Sequence, residues 1–150
     1  MTILTRDAID PGALIAAVSA PERGGIACFV GAVRDHHEGR GVVGLEYSAY
    51  DAMADAVAAA ILAEAESRWP VAVALRHRLG PVPIGEAAVV VAAAGGHRDE
   101  AFAACRYVIE EVKRRVPIWK RERYVDGSEA WVDPTAAGGL HPVRDDGTVS

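Results

Sequence analysis

The chain has 150 residues, of which 51% are hydrophobic and 25% charged, with a formal net charge of −5. That is the size of one domain with a real core, and it excludes both a disordered acidic tail and two ordinary domains. The acidic balance argues against non-specific nucleic-acid binding, which needs Lys and Arg in excess. The longest apolar runs, such as 87–94, fall far short of the ~18–20 residues that span a bilayer. The opening residues show no basic stretch followed by an apolar one, so the expectation is a cytoplasmic protein without a membrane partner.

The elements follow in chain order. Asp10-Pro11 reads as a helix start, with Asp as N-cap and Pro in the first turn. Residues 26–33 form an apolar run that reads as a buried strand, and 36–41 read as a polar loop. From 43 to 49 apolar and polar residues alternate, which predicts a half-buried strand. The spacing of Met53, Val57, Ile61 and Ala65 predicts an amphipathic helix over 52–68, stopped before Pro70. Residues 71–78 alternate again, with Val71, Val73 and Leu75 on one side and Arg76 and Arg78 on the other. A turn region covers 80–85, and 87–94 read as a second buried strand. A helix is expected over 98–115, with Phe102, Cys105, Ile109, Val112 and Val116 as its core face. Strands at 118–125 and 130–132 flank the turn Asp126-Gly127, and 133–150 read as a mobile tail after a single domain of residues 1–132. The order is not a strict strand–helix–strand alternation, so the fold class is α+β. Cys28 and Cys105 have neither CxxC nor zinc spacing and sit in apolar runs, so both are expected to be buried thiols.

Three places could carry chemistry. At Gly95-Gly96-His97-Arg98 a strand delivers two glycines to a helix start, whose N–H groups, with His97 and Arg98, suit an anion. The alternative is a plain tight turn whose helix end is satisfied by Asp99 and Glu100. Lys113 and Lys120 are the chain's two lysines, set against 14 arginines. An amine can give up its proton where a guanidinium cannot, although two surface lysines would read the same. Around them, 98–123 carries eight basic residues against five acidic ones, which fits either an anion site or a helix face laced with ion pairs. The third place is Arg34-Asp35-His36-His37, a loop after a strand. No HxH, HExxH or paired carboxylate supports a metal, so none is expected. The chain also lacks GxSxG, a P-loop and GxGxxG.

Several motifs occur together and in order: Phe29 to His36, His77-Arg78-Leu79-Gly80 with Gly85-Glu86, His97 to Phe102, Lys113 to Glu122 with its K-x-x-x-P-x-W-K-x-E pattern, Asp126-Gly127 and Trp131-Val132. Over residues 24–132 this set resembles the large, catalytic subunits of molybdopterin synthases. The resemblance implies an α/β hammerhead-like domain with an additional antiparallel sheet. It also implies a homodimer that carries a small ubiquitin-like sulfur carrier at each end, giving a heterotetramer. The implied activity is sulfurtransferase: two sulfurs pass from a C-terminal Gly-Gly thiocarboxylate on the carrier to cyclic pyranopterin monophosphate. The implied catalytic residues are Lys113 and Lys120. Arg34, His97 and Arg98 are expected to meet on the substrate phosphate, and no cofactor is expected. Asp35 replaces an Asn common in the family, and Gly95-Gly96 replaces a Ser-bearing stretch. The alternative function is a non-catalytic binding module for an anionic pterin or carrier protein. Strand edges left by a domain of this size suit pairing with a second copy, over at least ~1,200 Å², and the carrier tail is expected in a narrow channel leading to Lys113.

Overall fold

A computed structural model describes residues 3–133 and 141–143. In chain order the elements are β1 (Leu4–Thr5), α1 (Pro11–Val18), β2 (Gly25–Ala32), β3 (His36–His37), β4 (Arg40–Ala49), α2 (Asp51–Arg68), β5 (Val71–Arg78), β6 (Gly80–Val82), β7 (Ala87–Gly95), α3 (Arg98–Arg115), β8 (Ile118–Tyr124), β9 (Glu129–Asp133) and β10 (His141–Val143). The fold is α+β. One sheet has the order β1-β5-β7-β2, and a second runs β10-β9-β8-β4-β3 with β6 paired to β4.

The first sheet is covered on both faces. Ala54, Ala58, Ile61 and Ala65 of α2, with Ala101, Ala104, Cys105 and Val108 of α3, pack on Leu75, Val91 and Ala93. Leu14 and Val18 of α1 pack on Val90, Ala92 and Ala94 from the other side. Central strand β7 therefore buries both sets of alternate residues, which is why it is a continuous apolar run without alternation. Asp10 caps α1 as the sequence implies, accepting a hydrogen bond from the Gly12 N–H at 3.0 Å. The second sheet closes on a smaller core that includes Val33, Val42, Leu45, Val82 and Tyr124.

The helices and most of the expected strands lie within one or two residues of expectation, but β4 begins at Arg40, three residues before the expected start, the expected turn region 80–85 holds strand β6, and several faces differ. On α2 the buried stripe is Ala54, Ala58, Ile61 and Ala65, while Met53 is exposed. On α3 Phe102 is exposed and Ala101, Ala104 and Val108 are buried instead. Alanines let two helices and a sheet approach closely, so the small residues mark the inward stripe and the large ones its rim. Cys105 is buried but Cys28 is exposed. The reason is topological: β2 is the end strand of the first sheet, and α1 sits chiefly over β7 and β5. The expected loop at 36–41 is a tight hairpin, with Glu38 and Gly39 both at positive φ between β3 and β4. Of the expected tail, 134–140 and 144–150 lie outside the described residues, and His141–Val143 pairs antiparallel with Trp131–Asp133 of β9.

Candidate active site

The two sheets meet where β2 ends and β8 begins its pairing with β4. On β8 the inward residues alternate as Ile118, Lys120, Glu122 and Tyr124, so strand geometry alone carries an amine and a carboxylate to the same side as the core. Lys113 arrives from the last turn of α3. Val116 and Pro117 then reverse the chain, so Lys113 and Lys120 face a common space. Arg34 follows β2 into it. The result is a cavity of about 530 Å³ that Arg34, Lys113, Lys120, Tyr47, His77 and Glu122 help to line.

Glu122 is 2% exposed. A buried carboxylate needs partners, and it has three. His37 Nδ1 lies 2.8 Å away, the Tyr124 hydroxyl donates at 2.8 Å, and Lys120 Nζ stands 3.6 Å off. Burial pushes the Lys120 amine below its ordinary range. The Glu122 carboxylate opposes that shift, while Lys113 and Arg34 add to it, which places both of these cations within electrostatic reach of Lys120. Replacing Glu122 by alanine strands His37 and Tyr124 and leaves Lys120 in a cationic cavity without its anion. Breaking a buried pair from one side costs about 3 kcal/mol or more, so urea denaturation should show a loss of that order. An unchanged midpoint would mean that the network carries no stability.

His97 and Arg98 do not join this site within one chain. They begin α3, whereas Lys113 ends it, 15 residues or about 22 Å further along the helix axis. Arg34 and Gly25 likewise stand at opposite ends of β2. His97, Arg98, Gly24, Gly25 and Gly96 line a separate, shallower recess. There Glu100 turns back to accept the His97 N–H at 2.9 Å. The glycines have a packing role: a Cβ on Gly95 would come within 2.6 Å of Glu100 Cγ, and one on Gly25 within 2.9 Å of Arg98 N. The expectation that Arg34, His97 and Arg98 meet on one anion therefore fails inside a single chain, because β2 and α3 hold them apart.

Sequence reasoning singled out neither Glu122 nor His77 as a functional residue. Both had a signal in period 2. Glu122 shares a face with Ile118 and Tyr124, and His77 shares one with Val71 and Leu75. Among the described residues no group of three or more His, Cys, Asp or Glu could hold a metal, and no helix is long and apolar enough to cross a membrane.

This fold and cavity define a small α+β protein with a cation-lined site whose chemistry suits an anionic small molecule. The chain belongs to the MoaE protein family, whose model matches residues 4–115. It is 57% identical over 109 residues to the molybdopterin synthase catalytic subunit of Oryza sativa subsp. indica, covering 72% of this chain and 56% of that protein. The match thus spans little more than half the length of that relative. Among solved structures it resembles molybdopterin synthase from Staphylococcus aureus, with a TM-score of 0.82, 34% identity, and coverage of 87% of this chain and 95% of that one. It also resembles a chain in the complex of subunits 1 and 2 of molybdopterin-converting factor from Helicobacter pylori 26695. There the TM-score is 0.69 and the identity 26%, with coverage of 82% and 84%.

Proposed function

We propose that this chain is a molybdopterin synthase catalytic subunit that moves sulfur from a thiocarboxylated ubiquitin-like carrier to cyclic pyranopterin monophosphate in the cytoplasm. The observation that carries the reading is the convergence of Arg34, Lys113 and Lys120 on one cavity, with Glu122 beneath. Family membership and the two-subunit complex of a structural relative support a small partner protein. A thiocarboxylate is anionic, and so is the pterin phosphate. Two amines and a guanidinium can hold both anions together and stabilise charge that develops as the sulfur attacks. Lys113 or Lys120 can protonate the oxygen that leaves as the cyclic phosphate opens. The carrier's Gly-Gly end has no side chains, so a narrow approach to Lys113 can admit it and exclude most other C-termini.

The same reading includes a homodimer. Among the described residues β2 is an end strand that pairs with β7 alone, and Ile26, Phe29 and Val30 on it are all exposed. Antiparallel pairing of two β2 strands about a two-fold axis sets the Gly25 end of one copy beside the Arg34 end of the other. His97 and Arg98 of the second copy then complete the anion site of the first. That arrangement accounts for their distance from Arg34 within one chain.

The reading is tested by mixing the chain with thiocarboxylated carrier and cyclic pyranopterin monophosphate and assaying for molybdopterin. Turnover is expected with the intact carrier and is expected to vanish when its terminal Gly-Gly is deleted. Binding of both ligands without turnover would favour a non-catalytic module, and full activity with the tailless carrier would overturn the channel.

A further inference from the structure

We propose that His77 is a catalytic base of this site, taking a proton at Nε2 from the water that frees the carrier after sulfur transfer. The proposal rests on the sulfur-transfer reading above. His77 lies on the inward face of β5 and is 8% exposed. Its Nδ1 donates to the Arg78 carbonyl oxygen at 2.9 Å, which leaves the lone pair of the neutral ring on Nε2. The Tyr47 ring stands edge-on, with centroids 5.0 Å apart and planes at 75°, and limits rotation of the imidazole. Nε2 makes no hydrogen bond to any of the described residues and is not sealed in the core; His77 lines the cavity that holds Lys113 and Lys120.

The cavity's carboxylate and its other imidazoles are committed. Glu122 receives His37, Tyr124 and Lys120. His37 faces Glu122 with one nitrogen and Glu38 with the other. His36 is exposed and paired with Asp35. Burial, with the Glu122 charge, pushes the Tyr47 phenol up to about 12, so it keeps its proton. Among the described lining residues, His77 is the group that offers an uncommitted, buried lone pair. Burial, reinforced by the Lys113 charge, pushes it down to about 4, so the ring is neutral at neutral pH and remains an acceptor beside two amines. The anions that the reading brings into the cavity favour the imidazolium that forms there.

A base is needed at one step. When the thiocarboxylate sulfur bonds to a pterin carbon, the C–O bond that ties that carbon into the cyclic phosphate breaks and its electron pair leaves on the oxygen, which Lys113 or Lys120 can protonate. The carrier's carbonyl stays attached to the sulfur, and the product is an acyl thioester. Release requires water. The water oxygen bonds to the carbonyl carbon and the C–S bond breaks. The electron pair stays on sulfur, leaving a thiolate on the pterin. One water proton goes to His77 Nε2, and the other leaves as the new carboxylic acid ionises.

The test is a single-turnover reaction of the full chain, as wild type and as His77→Gln, with thiocarboxylated carrier and cyclic pyranopterin monophosphate. The variant is expected to release product about 100-fold more slowly or worse, while the carrier–pterin thioester builds up and is seen by intact mass. Free imidazole is expected to restore turnover to His77→Ala, a rescue that a purely structural role would not show; this measurement stands in if the Gln variant fails to fold. Wild-type rates in His77→Gln, or slow turnover with neither thioester nor imidazole rescue, would overturn the base role. A wild-type chain that forms no sulfur-bearing pterin would instead overturn the sulfur-transfer reading, and the base role with it.

Discussion

Lys120→Ala should lower kcat by about 100-fold to 10,000-fold, the range of a positioned acid or base, with a smaller change in affinity for the pterin. The amine is half-enclosed on β8, 3.6 Å from the buried Glu122 carboxylate. Truncation removes the transferable proton and one of three cations at once. Lys113→Arg is a sharper probe. It keeps the charge but substitutes a group that does not release its proton, so a comparable loss in kcat is expected. Wild-type turnover in Lys113→Arg would show that Lys113 supplies charge only. The pH profile carries the same information. Burial, aided by Lys113 and Arg34, lowers the Lys120 pKa from 10.5. The ammonium form dominates below the lowered value and is lost as pH rises through it. Activity that needs an acid there should therefore fall on an alkaline limb below pH 10.5. Glu122→Gln removes the carboxylate that favours the ammonium, so the limb should move to still lower pH. A limb that stays in place in Glu122→Gln would assign it to another group.

Subunits carrying Lys120→Ala and subunits carrying Arg98→Ala should each be defective alone and recover activity when mixed. In a dimer paired through β2, each site draws Lys120 from one copy and Arg98 from the other. A mixed dimer then contains one doubly damaged site and one intact site. With random exchange at equal amounts, about a quarter of all sites should be intact. If each site were built from a single chain, every site in the mixture would carry a lesion and no recovery would follow. Arg98→Ala alone should raise the pterin dissociation constant about tenfold, the equivalent of 1.4 kcal/mol. Unchanged affinity would place the phosphate elsewhere.

The sequence was most informative where one physical cause dominates. Period and punctuation locate the helices and the longer strands, though not the short β1, β3, β6 and β10: Asp10-Pro11 starts α1, Pro70 follows the end of α2, and the run at 87–94 is central strand β7. Lys113 and Lys120 could be paired because the Val116-Pro117 turn reverses the chain between them. Faces were harder to read. Hydrophobicity favoured Met53 and Phe102, whereas close helix–sheet packing selected the alanines beside them. The exposure of Cys28 depends on β2 ending its sheet, which a local pattern does not encode. His97 and Arg98 were grouped with Arg34 by charge, but an 18-residue helix and an eight-residue strand hold them apart in one chain. Glu122 and His77 were legible in principle as polar residues in inward strand positions. Their roles depend on partners far away in sequence, such as His37, 85 positions from Glu122.

Supplying the carrier with an isotopically heavy thiocarboxylate sulfur and weighing the pterin product tests the central claim most directly. The account predicts a molybdopterin that carries two heavy sulfurs, formed by the wild-type chain and formed about 100-fold more slowly or worse with Lys120→Ala. A pterin that leaves the wild-type reaction without heavy sulfur, while both ligands bind, would contradict it.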